Sequence, residues 1–468
     1  MALLETKEFV NCYRIEGAPD KLNEALLRMA ASFAVSDAKM REIIDRFHQS
    51  MRDGLNGDEA GMPMIPSFID RRPTGNEQGK FLSLDLGGTN LRVCQVTLLG
   101  KSDFHMVQQK FTIPAEAKER TLFDWIAQCV SIFVEEHDVE PNPGEYSINC
   151  GFTFSFPINQ TGLAEGNLIM WNKGFLVPNS VGRDVVRLTQ DAFLRKHLRV
   201  RIVAILNDTV GALMTSCYSN PDSQLGIIFG TGTNACYWER LSNIGKWAGP
   251  KEGEMVINTE WGAFDNAIEV LPYTMHDNKL NRKSPNHGLQ VFEKMISGMY
   301  LGEVARNALL YLVDQRLLFD GRSSPIFNKS YAFDTAYMSE IVSDDSPDLT
   351  EVRKVFEQTL EIPSPTLLDC KVAKAVCDMI GTRAMRLSAA SMAAVLLWRP
   401  EMLKGTVTVG IDGSMYQFYP SFDKALYDNC RPFLGDDFVD NKLKLRLAKD
   451  GSGVGAAIIA AVASKHLQ

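Results

Sequence analysis

The chain has 468 residues, 45% of them hydrophobic and 23% charged, which is ordinary for a soluble globular protein with a sizeable core. At about 150 residues per domain this length suits roughly three units, and two larger ones fit as well. The net charge of −8 excludes a surface that attracts nucleic acid or anionic membrane, so any phosphate-bearing ligand must be held by local groups.

Nine cysteines, an odd number with no CxxC pair, argue against a disulfide framework and a structural zinc site. The seven histidines have no ligand-like spacing. The N-terminus MALLETKEFVNCYRIEG carries early acids and no long apolar region, unlike a signal peptide. The longest apolar runs, such as AAIIAAVA, are too short to span a bilayer, and the final SKHLQ is not a peroxisomal tail. A reduced cytoplasmic setting is expected.

Residues 1 to about 60 read as polar-faced helices, with Leu22, Leu26 and Met29, then Met40, Ile43, Ile44 and Phe47, at helical spacing. A Gly/Pro-rich loop follows. LSLDLGGTNLRVCQV (82–96) reads as strand, turn, strand. Thr121 and Asp124 form a capping-box pattern before a helical face of Leu122, Ile126, Val130 and Phe133. INCGFTFSF (148–156) reads as an aromatic-rich, alternating strand. Ser180 to Leu198 reads as an amphipathic helix with Val181, Val185 and Leu188 inward, and RIVAIL (201–206) as a buried strand. LGIIFGTGTNACYWE (225–239) repeats the strand-turn-strand theme, and TVTVGIDGSMYQFYP (406–420) is a third case. DGSGVGAAIIAAV (450–462) is a glycine-rich helix start. The order fits an α/β layered unit repeated twice.

Glycine at the tip of a strand-turn-strand permits φ > 0, leaves room for close approach, and exposes consecutive backbone N–H groups that suit phosphate. A lone Gly-Gly is more simply a hairpin. Two Gly-Thr-Asn turns plus an Asp at a strand end weigh against that plain reading, and two such turns could grip one polyphosphate from both sides. Neither turn is a Walker A or a GxGxxG sequence. Asn207-Asp208 ends the apolar run RIVAIL. Capping of the next helix and a carboxylate general base are equally open there. Ser155, Asn172 and Lys173, set among aromatic and turn residues, suit a polyhydroxylated ligand, as does Glu260 beside Trp261 and Asn258. Glu293 in FEKMISGMYLGE reads equally as a helix surface charge.

The motifs FLSLDLGGTNLRV, FTFSFP, WNKGF, ILNDTVGALM, GTGTNACY, NTEWGAF, FEKMISGMYLGE, VGIDGSMY and DGSGVGAA occur in the order found in hexokinases, and the chain resembles that family, in the group that includes glucokinase. The resemblance runs from about Lys21 to the end and fits a single catalytic unit. It implies an α/β actin-like (ribonuclease H-like) sugar kinase with two domains around a deep cleft. The implied large domain is 1–76 with 208–449, and the small domain 77–207 with 450–468, on sequence halves of roughly 20–220 and 225–464. The implied activity is ATP-dependent phosphorylation of the 6-hydroxyl of glucose and related hexoses such as fructose and mannose, the first step of glycolysis.

The resemblance also implies roles. Asp85, Gly87, Gly88, Thr89, Asn90 and Arg92 form a first phosphate loop; Gly230, Thr231, Gly232 and Thr233 a second; Gly413 and Ser414 an adenosine-side loop. Asp208 is the general base, and Lys173 reaches both the sugar and the transferring phosphoryl group. Ser155, Asn172, Asn207, Asn234, Glu260 and Glu293 bind glucose. Mg²⁺ arrives on the ATP phosphates, with Asp85 and Asp208 reaching it through water. Two departures stand out. The family usually has Thr at the position of Asn172, and often Cys at that of Thr233. A non-catalytic sugar sensor is the alternative; it would lose the base, the lysine or a phosphate loop, and the sequence keeps all three. Another actin-like ATPase is disfavoured by the SFP, NDT and NTEWG motifs. The expected partners are hexoses and ATP, with no nucleic acid and no membrane span; a homodimer is compatible with the sequence, which leaves oligomeric state open.

Overall fold

A computed structural model describes residues 2–58, 61–171 and 174–464, with side chains from residue 7 onward. The first long helices, Asp20–Phe33 and Asp37–Asn56, are amphipathic in the manner expected: Leu22, Leu26, Met29, Met40, Ile43, Ile44 and Phe47 are all buried. Ser36 caps the second by accepting the Lys39 N–H at 3.2 Å, and Gly57, at φ 88°, ends it.

The described strands, in chain order, are β1 (Ile65–Pro66), β2 (Gln78–Leu86), β3 (Asn90–Gly100), β4 (Asp103–Thr112), β5 (Ile148–Phe154), β6 (Ile158–Gly162), β7 (Glu165–Leu168), β8 (Val200–Leu206), β9 (Ser223–Phe229), β10 (Thr233–Arg240), β11 (Glu254–Asn258), β12 (Val407–Asp412) and β13 (Leu443–Leu447). One sheet has the order β4-β3-β2-β5-β8: an antiparallel meander of β2, β3 and β4 is extended by β5 and β8 in parallel. The other has the order β1-β11-β10-β9-β12-β13, antiparallel through β9, with β12 and β13 added in parallel. β6 and β7 form a separate ribbon.

Each sheet has its own large apolar cluster. One runs from Leu82 to Ile205; the other joins the N-terminal helices, the second sheet and the long helix Leu367–Trp398. Between the sheets lie the helices Asp208–Ser219 and Gly451–Ser464. The first packs on β9, β10 and β12, the second on β2, β5 and β8, and the two pack on each other. They cross almost backbone to backbone. A Cβ added at Gly455 would stand 2.1 Å from the carbonyl oxygen of Gly211.

Four local expectations are corrected. β5 does not alternate: every residue from Ile148 to Phe154 is buried, because helix Gly451–Ser464 covers one face and the apolar cluster of the sheet the other. The helix predicted from Ser180 begins at Val185, where Asp184 accepts the N–H groups of Val186 and Arg187, and Val181 is exposed. The Thr121/Asp124 capping box does not form, because helix Leu122–Glu136 continues directly from a π-helical turn, Ala117–Thr121, which leaves no free N-terminus to cap. Residues 406–420 are strand, turn and short helix, Ser414–Phe418, rather than strand, turn and strand.

Candidate active site

The first glycine turn joins β2 to β3. Register places Asp85 directly opposite Arg92, and the pair closes at 2.7 Å. Asp85 also accepts the Ser452 hydroxyl at 2.8 Å, and Arg92 reaches Asp450 at 3.2 Å. This turn is thereby tied to the start of helix Gly451–Ser464. Burial works against the Arg92 charge, but Asp85 more than offsets it, and the guanidinium is held still more firmly protonated. In the turn, the Gly87 N–H donates to the Asn90 carbonyl at 3.0 Å, the Asn90 amide reaches the Thr89 hydroxyl at 2.7 Å, and Thr89 is exposed. Ser155 is brought beside it, its N–H donating to the Leu86 carbonyl at 3.4 Å.

The second turn joins β9 to β10. Its carbonyls at Gly230 and Thr231 accept the N–H groups of Gly298 and Met299, at the start of helix Gly298–Asp314. Gly413 packs against its back, where a Cβ would stand 2.3 Å from the Phe229 carbonyl oxygen; its φ of 116° also demands glycine. Gly87, Gly230 and Gly232 lie outside the left-handed region, so their value is room for close approach, not a special dihedral. Thr231 and Ser414 are exposed beside these turns. Thr233 faces inward instead: its hydroxyl accepts Trp261 Nε1–H at 3.0 Å, and its N–H donates to Glu293 at 3.0 Å. The nearby Asp412 carboxyl is pushed up by burial, against the pull of the Gly413 and Gly451 N–H groups.

Asn207, Asn234, Asn258 and Glu260 are joined by hydrogen bonds at the ends of β8, β10 and β11, with Asp208 following Asn207 in the chain. Asn207 caps helix Asp208–Ser219, its Oδ1 accepting the Thr209 N–H at 3.1 Å and hydroxyl at 2.8 Å. Asp208 follows as the first helical residue, half-buried. Asn234 Nδ2 donates to Asn258 Oδ1 at 2.8 Å, Glu260 Oε1 at 3.2 Å and Asn207 Oδ1 at 3.3 Å. Asn258 Nδ2 donates to Glu260 Oε1 at 2.8 Å. Glu260 is held at φ 52°, a left-handed conformation that costs a non-glycine residue roughly 1–2 kcal/mol. Strain of this kind marks places where surroundings dictate side-chain direction.

Thus Asn207, Asp208, Asn234 and Glu260 come together, Glu293 joins through the second turn, and Ser155, Asp85 and Arg92 gather at the first. Asn172 and Lys173 lie outside the described residues. Sequence reasoning passed over Asn258, Asp450 and Ser452 as site residues. A signal existed for each: Asn258 ends an apolar strand, as Asn207 follows one, and Asp-Gly-Ser occurs at both 412–414 and 450–452.

Two family models, both described as hexokinase, match residues 25–218 and 224–462. The chain belongs to the hexokinase family. Hexokinase-1 of Schizosaccharomyces pombe is 39% identical over 96% of this chain and 94% of its own. Glucokinase of Aspergillus niger is 37% identical over 95% and 98%, respectively. A hexokinase from Schistosoma mansoni complexed with glucose superposes with a TM-score of 0.86 at 36% identity, covering 94% of this chain and 99% of that one. A second hexokinase crystal structure superposes at 0.81 with 30% identity, over 95% and 100%. The two sheets and their paired helices are therefore the actin-like sugar-kinase fold, and the chain is a hexokinase-type phosphotransferase. No described helix is long and apolar enough to cross a membrane.

Proposed function

We propose that this hexokinase transfers the γ-phosphoryl group of ATP to the 6-hydroxyl of glucose and related hexoses, with Asp208 as general base. The observation that carries the reading is the convergence of Asn207, Asn234 and Glu260 on one another, with Asp208 beside them at a helix start. Amides and carboxylates held in fixed directions suit a ring of hydroxyls, each of which both donates and accepts. Ser155, Asn172 and Glu293 complete the proposed sugar contacts. Lys173 is proposed to reach both the sugar and the transferring group.

Phosphoryl transfer needs positioning and charge neutralisation more than covalent chemistry. The two glycine turns offer backbone N–H groups, with Thr89, Asn90, Thr231, Gly413 and Ser414 around the nucleotide. Among the described residues no cluster of three or more carboxylate, histidine or cysteine side chains could cage a cation. Mg²⁺ would arrive on the ATP phosphates and keep most of its water, with Asp85 and Asp208 as outer-sphere carboxylates. When bound, Mg²⁺ supplies neutralisation of phosphate charge. Asp208 takes the proton from the attacking hydroxyl, a role typically contributing roughly 10²–10⁴-fold.

We assign 1–76 with 208–449 to a large domain and 77–207 with 450–468 to a small one that closes over the sugar. Closure lets the correct ligand assemble the site and keeps water from replacing the hydroxyl. The free cysteines, eight of the nine buried, suit a cytoplasmic setting.

Asp208→Asn keeps the shape and removes the basicity. Glucose binding is expected within a few-fold of wild type, while kcat in an assay coupled to glucose 6-phosphate falls at least roughly 10²-fold. Near-normal turnover would overturn the assignment.

A further inference from the structure

We propose that Asn258 is a positioning residue that sets the hydrogen-bonding polarity of the sugar site; this rests on the reading of Asn234 and Glu260 as sugar contacts. Asn258 ends β11, is only 6% exposed, and lies between those two side chains. The direction of every amide is fixed in turn. The Ala235 N–H donates to Asn234 Oδ1 at 2.7 Å, while the Thr259 hydroxyl donates to the Ala235 carbonyl at 2.8 Å. Asn234 must therefore present its NH₂. Asn258 meets that NH₂ with its Oδ1 at 2.8 Å, so its own NH₂ points the other way, to Glu260 Oε1 at 2.8 Å. Turning the Asn258 amide over would set donor against donor and oxygen against carboxylate.

Two consequences follow. Glu260 Oε1 is held as an acceptor, receiving the amide NH₂ groups of Asn234 and Asn258. Its strained backbone, φ 52°, is held with the carboxylate aimed at Asn234. Both ends of the Asn258 amide are taken up by Asn234 and Glu260, so it acts through its neighbours.

The test uses the full-length enzyme. Glucose affinity is measured by equilibrium dialysis with labelled glucose for wild type, Asn258→Ala, Asn258→Asp, Glu260→Gln and the double variant Asn258→Ala/Glu260→Gln. KM for ATP and Tm without sugar are measured alongside. Asn258→Ala is expected to weaken glucose binding roughly 10- to 100-fold, the size of a lost hydrogen bond to a charged group, with KM for ATP within about twofold. Asn258→Asp has the same shape and sets a second carboxylate against Glu260, so it is expected to bind glucose no better than the alanine variant. In the Glu260→Gln background the loss from Asn258→Ala should shrink severalfold, because the two act as one unit. Glucose affinity within twofold of wild type for Asn258→Ala would overturn the proposal, as would equal losses for glucose and ATP with a lowered Tm, or full additivity with Glu260→Gln. If Glu260→Gln itself leaves glucose binding unchanged, the sugar-site reading falls instead.

Discussion

Glu293 accepts the N–H of Thr233, and this one bond changes the meaning of the neighbouring glycine. From the sequence, Gly232 is there to let phosphate approach. In the structure a Cβ on it would also stand 2.7 Å from Glu293 Oε2. Gly232→Val is therefore expected to raise KM for glucose as well as for ATP, by about fivefold or more each. Steady-state kinetics with each substrate varied will check this. An effect on ATP alone would leave the glycine with access as its sole role, and no effect in a folded variant would make the turn a plain hairpin. Asn172 supplies a second test. Asn172→Ala should cost roughly 5- to 150-fold in kcat/KM for glucose if the amide contacts a hydroxyl, and Asn172→Thr should retain most activity. Wild-type behaviour of Asn172→Ala on every hexose would remove it from the site. Asn207 explains why the residue scale was only partly legible: capping and site-building looked like rivals in the sequence, yet one amide caps Thr209 with its oxygen and receives Asn234 on the same atom. Asn258 was visible only as a neighbour of Glu260, because its other partner, Asn234, lies on a different strand.

Elements were legible where periodicity ran long, and misread where punctuation was tertiary. The N-terminal helices Asp20–Phe33 and Asp37–Asn56 both have a buried stripe, and the second adds a serine cap, so local signals agree. The start of Val185–Arg195 was placed too early because Val181 fits the helical spacing, while Asp184 owns the cap. Ser414–Phe418 was read as a strand because Met415, Tyr416 and Phe418 look strand-like; Gly413, pressed on Phe229, turns the chain into a helix instead. The long helix Leu367–Trp398 is anchored by Arg383, which pairs through both terminal nitrogens with Asp277 at 2.7 Å, with both side chains buried. Burial raises the Asp277 carboxyl, but Arg383 and Thr274 draw it below its usual range. Arg383→Met strands that carboxylate and is expected to cost about 3–5 kcal/mol at neutral pH. The stabilisation from a depressed carboxylate is complete above its ordinary pKa of about 4 and is lost as pH falls through the lower folded value. Protonation also relieves the stranded charge in the variant. Denaturant melts should therefore show the gap between the two proteins narrowing towards acid; a gap independent of pH would contradict the pairing account.

At the scale of the whole molecule, the twice-repeated α/β theme followed from strand-turn-strand signals, and the two sheets from the family resemblance. What joins them did not, because a helix of glycine and alanine advertises no partner. If the proposed domains close on sugar, saturating glucose without nucleotide should reduce the radius of gyration in solution scattering, and superimposable curves would exclude a large movement. The crossing of Asp208–Ser219 with Gly451–Ser464 bears on how such a movement would be resisted. Ridges of side chains that interlock must disengage before two helices turn on each other. Here Gly211 and Gly455 let the backbones meet, while the Thr215 hydroxyl donates to the Gly451 carbonyl at 3.2 Å and Val210, Leu213 and Met214 share one apolar cluster with Ala456 and Ile459, so the joint is a close-fitting one in which contact holds both position and angle. The crossing would then itself resist opening and closing, and Asp208, the proposed base, would stand at the start of one of its two helices.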